Sequence, residues 1–234
     1  MSELIFLLGR PGSGKSLTAR CIKEATAGPE YRVPGLACLE GWSALHVTDY
    51  DFLQRMFRAD MKKEEARRRF RPTSFGGFDV LDLRVLPLAL RQVSAYIAER
   101  LHEERTLILV EFARRDYSYQ EVWQHFRSDM LDSASFLYLE ADIETCLRRI
   151  EKRALDPVCL DDQYVSREIM LGYYGSPSGE PANLRRYFGQ ERVVAIENAG
   201  SWWETWMRIS QFLSKIPAKT LTQQRQTVEL VLAR

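Results

Sequence analysis

The stretch GRPGSGKS, Gly9 to Ser16, follows directly on the apolar run ELIFLL (3–8) and opens into KSLTARCIKEATA (15–27). Three glycines, a proline and a lysine within eight residues cannot form a packed core element. The apolar run reads as a strand. The residues behind the loop read as a helix, stopped by Gly28-Pro29.

The spacing from Gly9 through Gly14, Lys15 and Ser16 matches the phosphate-binding loop, G-x-x-x-x-G-K-[ST]. Glycines at Gly9, Gly12 and Gly14 permit positive φ and let backbone N–H groups turn toward an anion without a Cβ in the way. Those groups form a nest at a helix N-terminus, where the helix dipole adds positive character. Lys15 is expected to reach the β- and γ-phosphates and Ser16 to give its hydroxyl to Mg²⁺. The run Gly9, Arg10, Pro11, Gly12, Ser13, Gly14, Lys15, Ser16 and Leu17 is therefore the candidate ATP site, with Mg²⁺ beside it. An accidental glycine-rich turn is the plainer alternative, and the flanking strand and helix argue against it.

Composition narrows the function classes. The chain has 234 residues, 45% hydrophobic and 28% charged, with a formal net charge of +1. Near-neutrality gives no global case for nucleic-acid or membrane binding. The four cysteines, Cys21, Cys38, Cys146 and Cys159, form no C-x-x-C pair, so neither a zinc knuckle nor a redox motif is expected. The first apolar run is too short for a signal-peptide core, and no stretch is long enough to span a bilayer. A cytoplasmic protein is expected.

Further along, apolar runs alternate with amphipathic stretches. Strands are predicted at 44–48, 106–112, 135–140 and 192–197. Helices are predicted over 51–70, over 82–104 with a kink at Pro87, over 118–131 with Ser118 and Glu121 in capping-box spacing, over 142–154 and over 201–213. Residues 71–78 read as a loop and 155–191 as irregular. Strand alternating with helix is the pattern of an α/β fold, a parallel sheet covered on both faces. Residues 1–216 read as one unit, with 217–234 a tail expected to form a short docked helix.

A phosphate-binding loop alone does not name a reaction. Guanine readers carry Asn-Lys-x-Asp, which is absent, and the third strand ends in a lone Glu111 rather than Asp-Glu. HVTDYDF places Asp49 and Asp51 directly after the second strand. Carboxyl ends of parallel strands face the ligand crevice, so both carboxylates are expected near the γ-phosphate. One would hold the magnesium shell and the other would accept a hydroxyl proton. N-capping of a helix is the alternative use of either aspartate.

With these residues in hand, the sequence resembles the small P-loop kinases: the shikimate, gluconate, adenylate and nucleoside kinases and the zeta-toxin group. GRPGSGKS, TDYD after strand two, RRIEKR after strand four and AIENAGSW near the end fall in that family's order. The resemblance implies a three-layer αβα fold with a five-stranded parallel sheet in order 2-3-1-4-5 and helical insertions. These would be an acceptor-binding segment over about 50–104 and a lid over about 154–191. It implies Asp49 on magnesium and Asp51 on the acceptor hydroxyl. Glu111 would be a further carboxylate near magnesium, with Ser16. Arg114 or Arg115 would grip the acceptor or its anionic group; surface pairing with Asp116 is the alternative. Arg149 would stack on adenine, Arg153 would cover the phosphates from the lid, and Asn198 would sit beside the adenine.

Phe70, Phe75 and Phe78 fall where such proteins build the acceptor pocket, with ordinary packing as the alternative. The basic run KKEEARRR (62–69) is interleaved with glutamates and reads as a solvated helix face. The expected activity is ATP-dependent phosphorylation of a small-molecule acceptor, at a hydroxyl, by a monomer or homodimer. Transfer to a nucleoside or nucleotide, and a slow regulatory NTPase, are the alternatives.

Overall fold

A computed structural model describes residues 2–27, 36, 39–73, 77–114, 119–157, 164–175 and 180–216. Arg115, Ser118 and the tail 217–234 lie outside the described residues.

Five parallel strands form the central sheet: β1 (Glu3–Leu8), β2 (Ser43–Thr48), β5 (Thr106–Glu111), β6 (Ser135–Glu140) and β7 (Val193–Glu197). Their spatial order is β2-β5-β1-β6-β7. Counting only these strands, the order is 2-3-1-4-5, the one implied by the resemblance. Every residue of β5 is buried, as is all of β1 beyond Glu3. Strands covered on both faces read as continuous apolar runs, which is why these two are so plain in the sequence.

Side chains alternate across the sheet and feed two cores. Ile5, Leu7, Leu107, Leu109 and Leu137 pack toward α1 (Lys15–Ala27) and α9 (Trp202–Leu213). Phe6, Leu8, Ile108, Val110 and Phe136 pack toward α3 (Val85–Ala98), with Trp123 and Phe126. Phe6 stacks on Phe136 at 5.3 Å and meets Trp123 and Phe126 edge-on.

Several expected elements differ. The second helix, α2 (Asp49–Asp60), starts two residues earlier than expected and stops ten earlier. The expected loop at 71–78 instead belongs to an antiparallel hairpin, β3 (Phe70–Pro72) with β4 (Phe78–Val80). Buried Asp60 anchors it, accepting the Phe70 N–H. Pro87 causes no break, because it sits in the first turn of α3, where its missing N–H has no helical partner to lose. The segment 118–131 is split into α4 (Tyr119–Val122), a 3₁₀ turn and α5 (Ser128–Ser133). Beyond α6 (Ile143–Leu155), the expected irregular stretch contains α7 (Arg167–Tyr174) and α8 (Glu180–Phe188). Ser201 caps α9, its hydroxyl accepting the Glu204 N–H.

Candidate active site

β1 ends in the glycine-rich loop, and its glycines are where the sequence reading requires them. Gly9, Gly12 and Gly14 have φ of 129°, 80° and 107°. A Cβ on Gly12 would stand 2.6 Å from the Cys146 carbonyl oxygen, and one on Gly14 would stand 2.5 Å from Asn198 Nδ2. Both strain and space exclude a side chain there.

The loop is braced from outside. Asn198, just past β7, is buried; its Nδ2 donates to the Ser13 carbonyl at 2.8 Å and its Oδ1 accepts the Thr205 hydroxyl. Arg149 on α6 donates to the carbonyls of Asn198 (2.9 Å) and Gly12 (3.4 Å). Its guanidinium is thus engaged edge-on with loop carbonyls while it also lines the cavity described below. Arg10 reaches the other way and donates to the carbonyl of Tyr174 at the end of α7 (2.8 Å). Ser13 is fully buried in the loop's interior, and Leu17 is exposed at the mouth of the cavity described below.

Lys15 opens α1 and is buried, its Nζ donating to the carbonyls of Gly9 (3.0 Å) and Arg10 (2.9 Å). Burial lowers its pKa; Glu111 opposes this and Arg153 adds to it. Glu111, at the end of β5, lies 3.9 Å from Lys15 Nζ. One of its oxygens accepts the Ser16 hydroxyl at 2.9 Å and the other contacts His46 Nε2 at 2.9 Å. Burial pushes the Glu111 pKa up, but the His46 hydrogen bond and the Lys15 charge outweigh it and hold the carboxyl below its ordinary range. His46 escaped the sequence reading. Parallel pairing sets it beside Leu109, two residues from Glu111 on the same face of the sheet.

The two aspartates after β2 part company. Thr48 caps α2, its hydroxyl accepting the Tyr50 N–H, so the helix begins at Asp49 itself. Successive helical residues turn by about 100°. Asp49 and Asp51 therefore point to different sides: Asp49 is buried in the crevice, whereas Asp51 is exposed and outside it. The expectation that Asp51 meets the acceptor is corrected here, since i and i+2 share a side in a strand and not in a helix.

Arg114 is also buried. Its Nη1 donates to Asp49 Oδ2 at 2.8 Å and to the Ala113 carbonyl, and its Nη2 donates to the Leu86 carbonyl at 3.4 Å. Burial pushes the Asp49 carboxyl above its ordinary range, with Arg114 pulling the other way. The guanidinium, expected to grip an acceptor anion, is occupied by this carboxylate and the surrounding backbone.

These groups open into one cavity of about 690 Å³. Pro11, Lys15, Ser16, Arg149, Asn198 and Trp202 line one part of it. Asp49, Tyr50, Phe78, Asp79 and Arg114 line another, with Ile169 and Tyr173 of α7, while Arg153 of α6 lines the cavity near Lys15. Phe78 lines the cavity and is also packed, stacked on Tyr50 (5.5 Å) and Phe57 (4.9 Å). Asp79 was also missed: it is buried, pairs with Arg71 at 2.7 Å across the hairpin, and takes the Ser166 hydroxyl at the start of α7.

For a divalent cation the donor chemistry fits. The Ser16 hydroxyl and Glu111 carboxylate are adjacent hard-oxygen groups at the loop, matching the magnesium habit of using few protein ligands beside phosphates and water. Among the described residues no cluster of three His, Cys, Asp or Glu side chains could hold a metal alone. Nor is any helix among them long and apolar enough to cross a membrane.

No protein-family model matches the chain, and no curated protein matches it. Solved structures do. A Mycobacterium tuberculosis APS kinase, CysC, in complex with AMPPNP and APS superposes with a TM-score of 0.50 at 15% identity, covering 91% of this chain and 97% of that one. The chain shares the three-layer α/β fold of that protein. Chaetomium thermophilum Kti12 in complex with ADP-AlF3 is as similar in shape, with a TM-score of 0.51, 14% identity, and 91% and 96% of the two chains covered. At such identity the likeness fixes the fold and leaves the reaction to the residues of the site.

Proposed function

We propose that this chain transfers the γ-phosphoryl group of ATP to a hydroxyl of a small molecule. The observation that supports this most is the meeting of Lys15, Ser16 and Asp49 in one cavity. A nucleotide-holding loop facing an oriented carboxylate is what phosphoryl transfer to a hydroxyl needs.

In this reading Lys15 exchanges the Gly9 and Arg10 carbonyls for phosphate oxygens, joined by the loop N–H groups. Ser16 and Glu111 would hold Mg²⁺, which when bound neutralises charge on the phosphates. Asp49 accepts the proton of the acceptor hydroxyl as the oxygen–phosphorus bond forms and the bond to the departing ADP oxygen breaks. Its raised pKa brings it toward the operating pH of a base. Arg114 fixes the carboxylate's orientation, and Arg153 covers the transferring charge. Residues of about 50–104 form the acceptor-binding segment and those of about 154–191 the lid. Positioning and charge stabilisation supply most of the rate.

The test is ATP consumption measured against a panel of small hydroxyl compounds, with products identified by mass spectrometry. Strong stimulation by one acceptor, with its phosphorylated form detected, is the expected result. Slow hydrolysis that stays flat across a broad panel overturns the proposal in favour of a nucleotide-dependent regulator.

A further inference from the structure

Among the described residues, five cations line the cavity: Lys15, Arg20, Arg114, Arg149 and Arg153. Four of them belong to its nucleotide side. Lys15 and Arg149 are bonded to loop carbonyls. Arg20 stands one turn beyond Ser16 on α1, and Arg153 is near enough to Lys15 to influence its charge. Arg114 alone stands beside Asp49, and its guanidinium is committed to that carboxylate and to two backbone carbonyls.

The acceptor side is otherwise apolar and flat-faced. Tyr50 and Phe78 stack with an interplanar angle of 8°. Leu53, Val80 and Leu86 continue this wall, and Ile169 of α7 lies along the same cavity. The second carboxylate there, Asp79, is matched by Arg71. An incoming carboxylate or phosphate on this side would therefore meet two acidic groups, each already neutralised, and the cations beside them, Arg114 and Arg71, are each paired with one of those carboxylates. Burying an unpaired anion in such surroundings is strongly unfavourable.

We infer that the acceptor is an uncharged ring compound bearing a hydroxyl, held by its apolar face on Tyr50 and Phe78 with the hydroxyl directed to Asp49, and that anionic sugars and phosphorylated metabolites are rejected. This deepens the kinase reading and rests on it for the hydroxyl's fate. The binding preference itself rests on the walls.

Ligand-observed NMR in the presence of AMPPNP and Mg²⁺ tests the preference directly. The probes are matched pairs of small ring alcohols, one member uncharged and the other bearing a carboxylate or phosphate on the same ring. The uncharged members should bind at least about 10-fold more tightly, and Phe78→Ala should abolish their binding. Phe78 belongs to a packed aromatic cluster, so a second variant is needed. Leu83 lines the cavity at 47% exposure and tolerates a polar replacement. Leu83→Arg should shift preference toward the anionic members. Preference for the anionic members in the unaltered protein, no binding by either class, or no shift in Leu83→Arg each overturns the inference. Uncharged members that bind yet are never phosphorylated leave it standing and remove the kinase reading. An anionic acceptor that is phosphorylated efficiently does the reverse.

Discussion

His46 Nε2 lies 2.9 Å from Glu111 Oε2, on the carboxylate whose other oxygen accepts the Ser16 hydroxyl. Two neighbouring strands thus fix a buried carboxylate at the foot of the glycine-rich loop. Groups that orient a metal-holding carboxylate typically change metal affinity by about 10–100-fold when removed. His46→Leu should therefore raise the Mg²⁺ concentration needed for half-maximal ATP turnover by about 10-fold. Stranding one oxygen of a buried carboxylate should also lower stability by about 1–3 kcal/mol, read by denaturant unfolding.

Asp49 and Asp51 provide a paired comparison. Asp49→Asn should reduce phosphoryl transfer by about 10²–10⁴-fold, the usual contribution of a positioned base, while AMPPNP affinity is retained. Asp51→Asn should transfer at the wild-type rate, because its side chain is exposed on α2 and outside the cavity. If instead Asp51→Asn abolishes transfer and Asp49→Asn spares it, the assignment is wrong.

Arg114→Ala tests the same pair from the other side. It leaves the Asp49 carboxylate buried without its partner, a defect of about 3–5 kcal/mol when one member of a buried ion pair is removed. The loss should be visible in the unfolding midpoint, and Asp49→Asn with Arg114→Ala together should cost less than the sum of the two single changes.

The pH behaviour follows from opposite shifts. In the proposed reaction Asp49 accepts a proton only when ionised, so transfer should fall as pH drops through its folded pKa, held above the 3.8 of an ordinary aspartate. The acid limb of kcat/KM should lie correspondingly high. Glu111 acts on stability with the other sign. Its folded pKa lies below 4.5, so at a given acid pH the folded chain binds fewer protons at this group than the unfolded chain does. Its contribution is complete above pH 4.5 and is lost as pH falls through the folded value. Glu111→Gln should flatten that acid loss in unfolding measured across this window.

Gly14→Ala should impair nucleotide binding, since the new methyl would collide with Asn198 Nδ2 at a φ of 107°. Asn198→Ala removes the collision but leaves the buried Ser13 carbonyl without its donor, a change of about 1–3 kcal/mol in stability. Calorimetric titration with AMPPNP checks the first and thermal unfolding the second.

The glycine-rich loop and the alternation of strands with helices were legible because both are written locally: a fixed spacing of glycines, and apolar runs separated by amphipathic ones. The strand order came from the family resemblance alone. What failed depended on phase or register. The choice between Asp49 and Asp51 turns on whether a helix starts at residue 49, and Thr48 as its cap decides that. His46 becomes visible only once β2 is aligned with β5, and Asp79 only once Arg71 is known to face it across the hairpin. The resemblance set Arg149 beside the nucleotide, but the order of motifs along a chain does not say which carbonyls of its own chain a guanidinium also holds. It meets the carbonyls of Gly12 and Asn198.

The helix α7 is fastened at both ends. Ser166 ties its start to Asp79 on the hairpin, and the Tyr174 carbonyl ties its finish to Arg10 in the glycine-rich loop. A crosspiece pinned in this manner carries a tug from either doorway to the other. Initial-rate experiments varying both reactants should then show each one altering the Michaelis constant of its companion, and cutting either pin, by Ser166→Ala or Arg10→Ala, should make the two behave as strangers.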